Sequence, residues 1–98
     1  MNTERPKRRP DLRQREVDGE ILLDDRRSDV LHQLNTTASF IWELCDGEHG
    51  PEEIAEALAR TFEAPESTTA TDVAATLSRF RELELLAQGT EPSGLRSG

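Results

Sequence analysis

The chain has 98 residues and a net charge of −8, with 34% hydrophobic and 33% charged residues. This length allows one small domain and excludes an enzyme that combines a cofactor domain with a substrate domain. No window approaches the roughly 18 apolar residues of a membrane span, and the polar start predicts no secretory signal. The single cysteine, Cys45, cannot form an internal disulfide, which predicts a reducing, cytoplasmic location.

Charge is unevenly distributed along the chain. Residues 1–15 hold six basic and two acidic side chains, while the remainder holds six basic and eighteen acidic ones. An acidic body repels nucleic-acid phosphates and anionic lipids, so we expect neither as a partner. Residues 1–10 and 88–98 lack hydrophobic periodicity, and we expect both to be disordered tails, the first of them basic. The folded domain is therefore predicted to span residues 11–87.

The residue pattern predicts three β-strands in the first half of the domain. In residues 12–17, Leu12, Gln14 and Glu16 alternate with Arg13, Arg15 and Val17, as on the two faces of a strand. This segment leads into Asp18-Gly19, a two-residue turn signal. Residues 20–24 form a short apolar run, and residues 30–34 alternate again after a polar turn. Two successive hairpins make a three-stranded antiparallel sheet, which needs a helix against one face to be stable.

A helical period replaces the strand period after residue 34. Asn35 or Thr36 is a suitable N-cap for a first helix that runs to about Cys45. Its apolar residues lie nearly all round the helix, so we expect the helix to be buried. We expect Gly47, in the left-handed conformation, to end this helix.

Two further helices are predicted beyond residue 50. Pro51 suits the first position of a second helix, whose apolar residues form a one-sided stripe up to Phe62. A break at 64–67 precedes a third helix over residues 70–83. Three strands followed by three helices predict a compact, winged-helix-like α+β domain.

Few residues are suited to catalytic or metal chemistry. Zinc sites use three or four ligands at characteristic spacings, whereas His32 lies in a strand, His49 lies in a loop and there is no cysteine pair. Cys45 closes an apolar helix, and a buried free cysteine behaves as a small hydrophobic residue. Because no nucleophile, base and orienting group form a recognisable pattern, we expect no enzymatic activity, no metal and no cofactor.

The last predicted strand offers a means of binding. Residues 30–34 end the meander, and an edge strand has unpaired N–H and C=O groups onto which an extended peptide can add. The alternative is an edge covered by the N-terminal segment, since most edges are protected. A third helix beside the edge would supply apolar residues to a peptide groove, although such a stripe is also typical of a core.

Several short motifs occur in a characteristic order. They are Leu34-Asn35, Ile41-Trp42 and Asp46-Gly47, then Asp72-Val73 with Leu77 and Phe80, and finally Leu85-Leu86. Their order and spacing resemble the PqqD-like family, the small peptide chaperones of pyrroloquinoline quinone synthesis and related modified-peptide pathways. The resemblance covers about residues 20–86, most of the predicted domain.

The resemblance implies a leader-recognition domain with three strands and three helices. In this family the leader of a ribosomally made precursor peptide adds as a strand to the third β-strand and packs against the third helix. The domain presents the peptide to a modifying enzyme, often a radical S-adenosylmethionine (radical SAM) protein, and the cofactors belong to that partner. Asn35, Trp42, Asp46 and Gly47 are interpreted as structural residues.

The resemblance places the binding strand at residues 29–34 and the groove helix at about 72–84. We expect backbone bonding on the strand, an apolar wall on the helix, and arginines that meet acidic groups of the leader. A core stripe and a solvated face are the alternatives for the helix residues. The expected peptide-binding residues are Val30, Leu31, His32, Gln33, Val73, Thr76, Arg79, Phe80 and Leu83.

Three residues depart from the family pattern. Glu84 stands where glycine is common before the final leucine pair, so the sequence leaves the end of the third helix open. Thr76 and His32 stand where larger apolar or aromatic residues are common, and they predict a more polar groove for a different leader. The sequence therefore predicts the family but not the pathway.

Two other functions stay open. The chain could be a docking or scaffold subunit that binds an enzyme without a peptide. For either function, the expected oligomeric state is a monomer or weak dimer. It could also be a winged-helix DNA-binding protein. Against this, the third helix offers only Arg79 and Arg81 beside three carboxylates, whereas DNA contact faces concentrate positive charge.

Overall fold

The computed structural model describes residues 5–87, in which three strands precede three helices. This order confirms the predicted α+β class. No helix within these residues is long and apolar enough to span a bilayer. The elements are β1 (Arg13–Val17), β2 (Glu20–Asp25), β3 (Val30–Leu34), α1 (Thr36–Glu43), α2 (Pro51–Phe62) and α3 (Glu66–Glu82).

The strands form an antiparallel sheet in the order β1-β2-β3. The predicted turn between β1 and β2 is present: Asp18 has φ 52° and Gly19 has φ 83°, the pair of positive angles that a type I′ hairpin requires. Alternation along β2 buries Ile21 and Leu23 completely against the helices. Leu22 and Asp24, which alternate with them, face away from the helices, so the helices cover only one face of the sheet.

The core lies between this sheet face and the three helices. Trp42 of α1 and Phe80 of α3 pack edge to face, with ring centroids 5.3 Å apart, and each side chain is 1% exposed. The indole N–H of Trp42 donates to Oε1 of the exposed Gln14 at 2.9 Å, so the polar atom of this buried ring has a partner at the margin of the core. Alternation in β1 places Gln14 on this face, opposite Leu23.

Two helix boundaries differ from those the sequence predicts. α3 begins at Glu66, four residues early, because only Glu63, Ala64 and Pro65 separate the two helices and Pro65 is the N-cap. The buried Thr69 hydroxyl bonds to the Ala55 carbonyl at 3.1 Å, which holds this polar first turn against α2. α1 ends at Glu43, while Gly47 takes its left-handed conformation (φ 84°) three residues after the C-cap.

The prediction that residues 1–10 form a disordered tail is wrong for residues 5–10. Pro6 is buried, and Lys7 and Arg8 form isolated antiparallel bridges to Asp46 and Leu86, respectively. The Gly47 N–H donates to the Pro6 carbonyl at 2.9 Å, and a Cβ on Gly47 would approach the Lys7 side chain to 3.2 Å. This segment therefore closes the helix side of the domain. Residues 1–4 and the predicted tail at 88–98 lie outside the described residues.

Candidate functional site

The candidate site begins at β3, the edge strand of the sheet. Within residues 5–87 no strand pairs with its outer side, and the N-terminal segment bonds to residues near α1 and at the end of α3 instead. Val30 is 42% exposed and Leu31 is 65% exposed, which is unusual for apolar strand residues. An exposed apolar edge of this kind is suited to pairing with another strand.

The hairpin geometry decides which backbone groups of β2 point toward β3. In a two-residue hairpin the residues flanking the turn, here Val17 and Glu20, bond to each other. Alternation then turns the backbone of Ile21 toward β3. The Ile21 N–H donates to the Ser39 hydroxyl at 2.9 Å, and that hydroxyl donates to the Leu34 carbonyl at 3.1 Å.

The same alternation assigns the backbone groups of β3. Val30, His32 and Leu34 stand opposite Asp25, Leu23 and Ile21, so their N–H and C=O groups point toward β2. The N–H and C=O groups of Leu31 and Gln33 consequently point out of the sheet. The free edge offers two donors and two acceptors in register, the pattern that an added antiparallel or parallel strand requires.

The side chains of β3 divide between the two faces of the sheet. His32, half-buried, and Val30 lie on the helix side, whereas Leu31 and Gln33 lie on the open face. The Gln33 amide donates to the Glu20 carboxylate at 2.9 Å. Leu31 borders a depression of about 530 Å³ that Leu22 and residues of β1 also line. An added strand would therefore have side-chain contacts on both faces.

The residues predicted on α3 fall into two groups. Val73 and Phe80 are each 1% exposed, so they belong to the core, the alternative considered for this stripe. Thr76 and Leu83 are half-buried on one flank of the helix. Arg79 is exposed, and its ion pair among the described residues is a long one of 3.8 Å with Glu82, its neighbour one turn away. Of the residues predicted on α3, only Thr76, Arg79 and Leu83 are therefore accessible to a ligand.

β3 and α3 do not pack directly against each other. No Cα atom of β3 lies within 8 Å of a Cα atom of α3, although both elements contact α1. Neighbouring strands lie about 4.8 Å apart, so α3 does not occupy the position beside β3 that an added strand would take. The two groups of predicted residues therefore do not touch each other, and we call the separation between β3 and α3 the β3–α3 gap.

A charged cluster that sequence reasoning missed lies at the Val30 end of β3. The Arg9 guanidinium forms two bonds of 3.1 Å to the Asp25 carboxylate, and it also bonds to Asp11 (2.9 Å) and to the Glu84 carbonyl (2.8 Å). The Arg9 hydrogen bonds hold the pKa of Asp25 at about 2, well below its ordinary value. One sequence signal was present, because Asp25 continues the buried alternation of β2 and a buried carboxylate needs a partner.

The described residues hold no cluster with catalytic or metal-binding geometry. No group of three or more His, Cys, Asp or Glu side chains within residues 5–87 is placed to hold a metal ion. Burial raises the pKa of the Cys45 thiol to about 12, and its Sγ donates to the Ile41 carbonyl at 3.3 Å. His49 bonds to Asp46 at 2.9 Å, and this bond raises the pKa of the imidazole. The thiol therefore stays protonated at neutral pH and is a poor nucleophile.

The fold and the open edge define a small α+β recognition domain. The family described as Coenzyme PQQ synthesis protein D (PqqD) matches residues 20–86, which is more than half of the chain. The chain therefore belongs to the PqqD family. No curated protein matches the chain.

Two solved structures are similar to most of this chain. The first is described as TbiB1 in complex with the TbiA(β) leader peptide, with 25% identity, a TM-score of 0.74 and coverage of 82% of this chain and 93% of that one. The second is described as lasso peptide synthetase B1 complexed with the leader peptide. It has 26% identity and a TM-score of 0.75, and the match covers 85% of this chain and 98% of that chain.

Proposed function

We propose that this protein binds the leader of a ribosomally made precursor peptide by strand addition to β3 and presents it to a modifying enzyme. The observation that carries the proposal is the unpaired edge of β3, where the backbone groups of Leu31 and Gln33 point outward beside the gap to α3. Main-chain bonds would supply affinity, and side chains on the two faces would supply selectivity. The similar structures described as leader-peptide complexes support the same assignment.

The proposed contact residues follow from exposure. Val30, Leu31, His32 and Gln33 would pair with the leader, and Thr76, Arg79 and Leu83 would border it from α3. Val73 and Phe80 would support this wall from the core. The groove is more polar than one walled by aromatic residues, and the exposed Arg79 favours a leader that carries an acidic residue at the α3 side.

The proposal assigns the chemistry to the partner. We infer that this chain acts without catalysis or a cofactor of its own, as a monomer or weak dimer in the cytoplasm, where precursor peptides are made. The partner is proposed to be a radical SAM enzyme. The likeness to lasso peptide synthetase B1 makes the enzymes of a lasso-peptide pathway the second candidate.

The substitution Leu31→Pro tests strand addition. It removes an outward N–H from the edge, and the ring obstructs the approach of a strand, so the affinity for the leader should fall at least ~10-fold. The matched control is Glu16→Pro, because Glu16 points its backbone groups out of the opposite edge of the sheet. The measurement is fluorescence anisotropy with the leader of the precursor peptide encoded nearest this gene.

Amide shifts in isotope-labelled protein locate the bound leader. We expect shifts concentrated at residues 29–34 and on the Thr76–Leu83 flank of α3. Unchanged leader affinity in a folded Leu31→Pro variant would contradict strand addition. Co-purification of the enzyme without any dependence on the leader would favour the docking-subunit function instead.

A further inference from the structure

We infer that Arg9 is a positioning residue that sets the width of the β3–α3 gap. It connects Asp25, which lies opposite the first residue of β3, to the carbonyl of Glu84 just beyond α3, although the family match begins only at residue 20. This inference rests on the proposed leader site and adds a determinant of affinity that lies outside the groove.

On one side, Arg9 bonds to the β2–β3 hairpin, and we call the bonds that Arg9 makes to this hairpin and to the end of α3 the tether. Arg9 forms a two-bond contact with Asp25, the last residue of β2, and Asp25 stands directly opposite Val30, the first residue of β3. The contact is enclosed, since the side chains of Arg9 and Asp25 are 9% and 4% exposed. Asp25 also accepts a bond from the Arg27 N–H at 3.1 Å, which extends the hold to the turn before β3.

The other end of the tether is attached to the end of α3. The Arg9 guanidinium donates to the Glu84 carbonyl at 2.8 Å, and the Arg9 N–H donates to the Leu85 carbonyl at 3.0 Å. No Cα pair within 8 Å links β3 to α3 directly. A forked guanidinium that bonds both sides therefore fixes their separation at this end, in a way that a single ammonium group cannot reproduce.

The neighbouring arginine provides a matched control. Arg8 also donates to two backbone carbonyls, those of Trp42 (3.0 Å) and Glu43 (2.8 Å), but both belong to the end of α1. Arg8 and Arg9 thus anchor the same segment, and of the two only Arg9 joins the end of β2 to the carbonyl just beyond α3.

The test compares Arg9→Lys with Arg8→Lys. We expect Arg9→Lys to weaken binding of the synthetic leader of the nearest-encoded precursor about tenfold, chiefly through faster dissociation. Arg8→Lys should stay within about twofold of the wild type even where the two variants lose similar thermal stability. If both variants lose affinity in proportion to their stability, Arg9 has a structural role only and the inference is overturned.

A second measurement reads the gap without any leader. Nitroxide labels on Arg26→Cys and Ser78→Cys report the distance between the hairpin turn and α3 by pulsed electron resonance, since both positions are exposed and Cys45 is fully buried. Arg9→Lys should lengthen or broaden this distance, and Arg8→Lys should not; an unchanged distribution overturns the inference. If Arg9→Lys changes this distance but the wild type binds no leader, the result supports the tether and contradicts the proposed function.

Discussion

Several single residues in this domain have structural roles that the local sequence does not predict. Ser39 replaces a direct bond between β2 and β3 with a two-step bridge, and Gln14 satisfies the indole N–H of Trp42. Arg9 and Asp25 form an enclosed ion pair in which each group would be costly without the other, since a buried charge needs a partner. Removal of one member therefore costs more than the loss of a surface ion pair.

The Asp25 carboxylate gives stability a dependence on acid pH. Its folded pKa of about 2 lies below the ordinary value of 3.8, so its contribution is complete above about pH 4 and is lost as pH falls toward 2. We expect urea unfolding of the wild type to show this decline. Asp25→Asn should have a lower free energy of unfolding at pH 7. Its free energy of unfolding should also lack the decline that protonation of Asp25 causes in the wild type as pH falls toward 2.

Asp11→Asn is the control for this measurement. Asp11 also bonds to Arg9, but its side chain is 49% exposed and solvent screens the contact. Its removal should change the pH profile less than that of Asp25. A profile in Asp25→Asn that matches the wild type would show that the pair does not stabilise the fold.

At the scale of elements, the end of α3 shows local strain within a regular motif. The Leu85 N–H bonds to the Phe80 carbonyl and the Glu84 N–H to the Arg81 carbonyl, the two bonds of a Schellman ending. Glu84 occupies the left-handed position with φ 59°, which glycine adopts without steric cost. The glycine expected from the family pattern has therefore been replaced without a change in the backbone ending.

Glu84→Gly should stabilise the protein. Relief of the left-handed strain outweighs the added freedom of the unfolded chain, and we expect a gain of about 0.5–1 kcal/mol in the free energy of unfolding. The bond from Arg9 to the carbonyl of residue 84 does not depend on the side chain. Ala75→Gly, in the exposed interior of α3, should instead cost about 1 kcal/mol, and equal effects of the two variants in thermal unfolding would contradict this account.

At the scale of the molecule, the N-terminal segment completes the domain. Arg8 and Arg9 bond to the ends of α1 and α3, and Leu86 bridges back to Arg8, so residues far apart in the chain close one surface. These contacts join the two halves of the fold, and the entropy lost in closing the long loop between them grows only slowly with its length.

A truncation tests this contribution. Removal of residues 1–9 should lower the melting temperature by about 10 °C or more, since several backbone bonds and the enclosed ion pair are lost. Removal of residues 1–4 deletes none of the contacts described and serves as the control. Equal melting temperatures in circular dichroism for the two truncated chains would refute a structural role for residues 5–9.

The sequence by itself determined the strand and helix order, the Asp18-Gly19 turn and the family, because these depend on local periodicity, turn chemistry and short motifs. Only the tertiary structure decided that Val73 and Phe80 belong to the core, that α3 begins at Glu66, and that the edge of β3 is open within the described residues. It also decided the place of Arg9, whose partners lie up to 75 residues away. Long-range pairing depends on how elements pack, and a charged run near a terminus has no local pattern that reveals its partner.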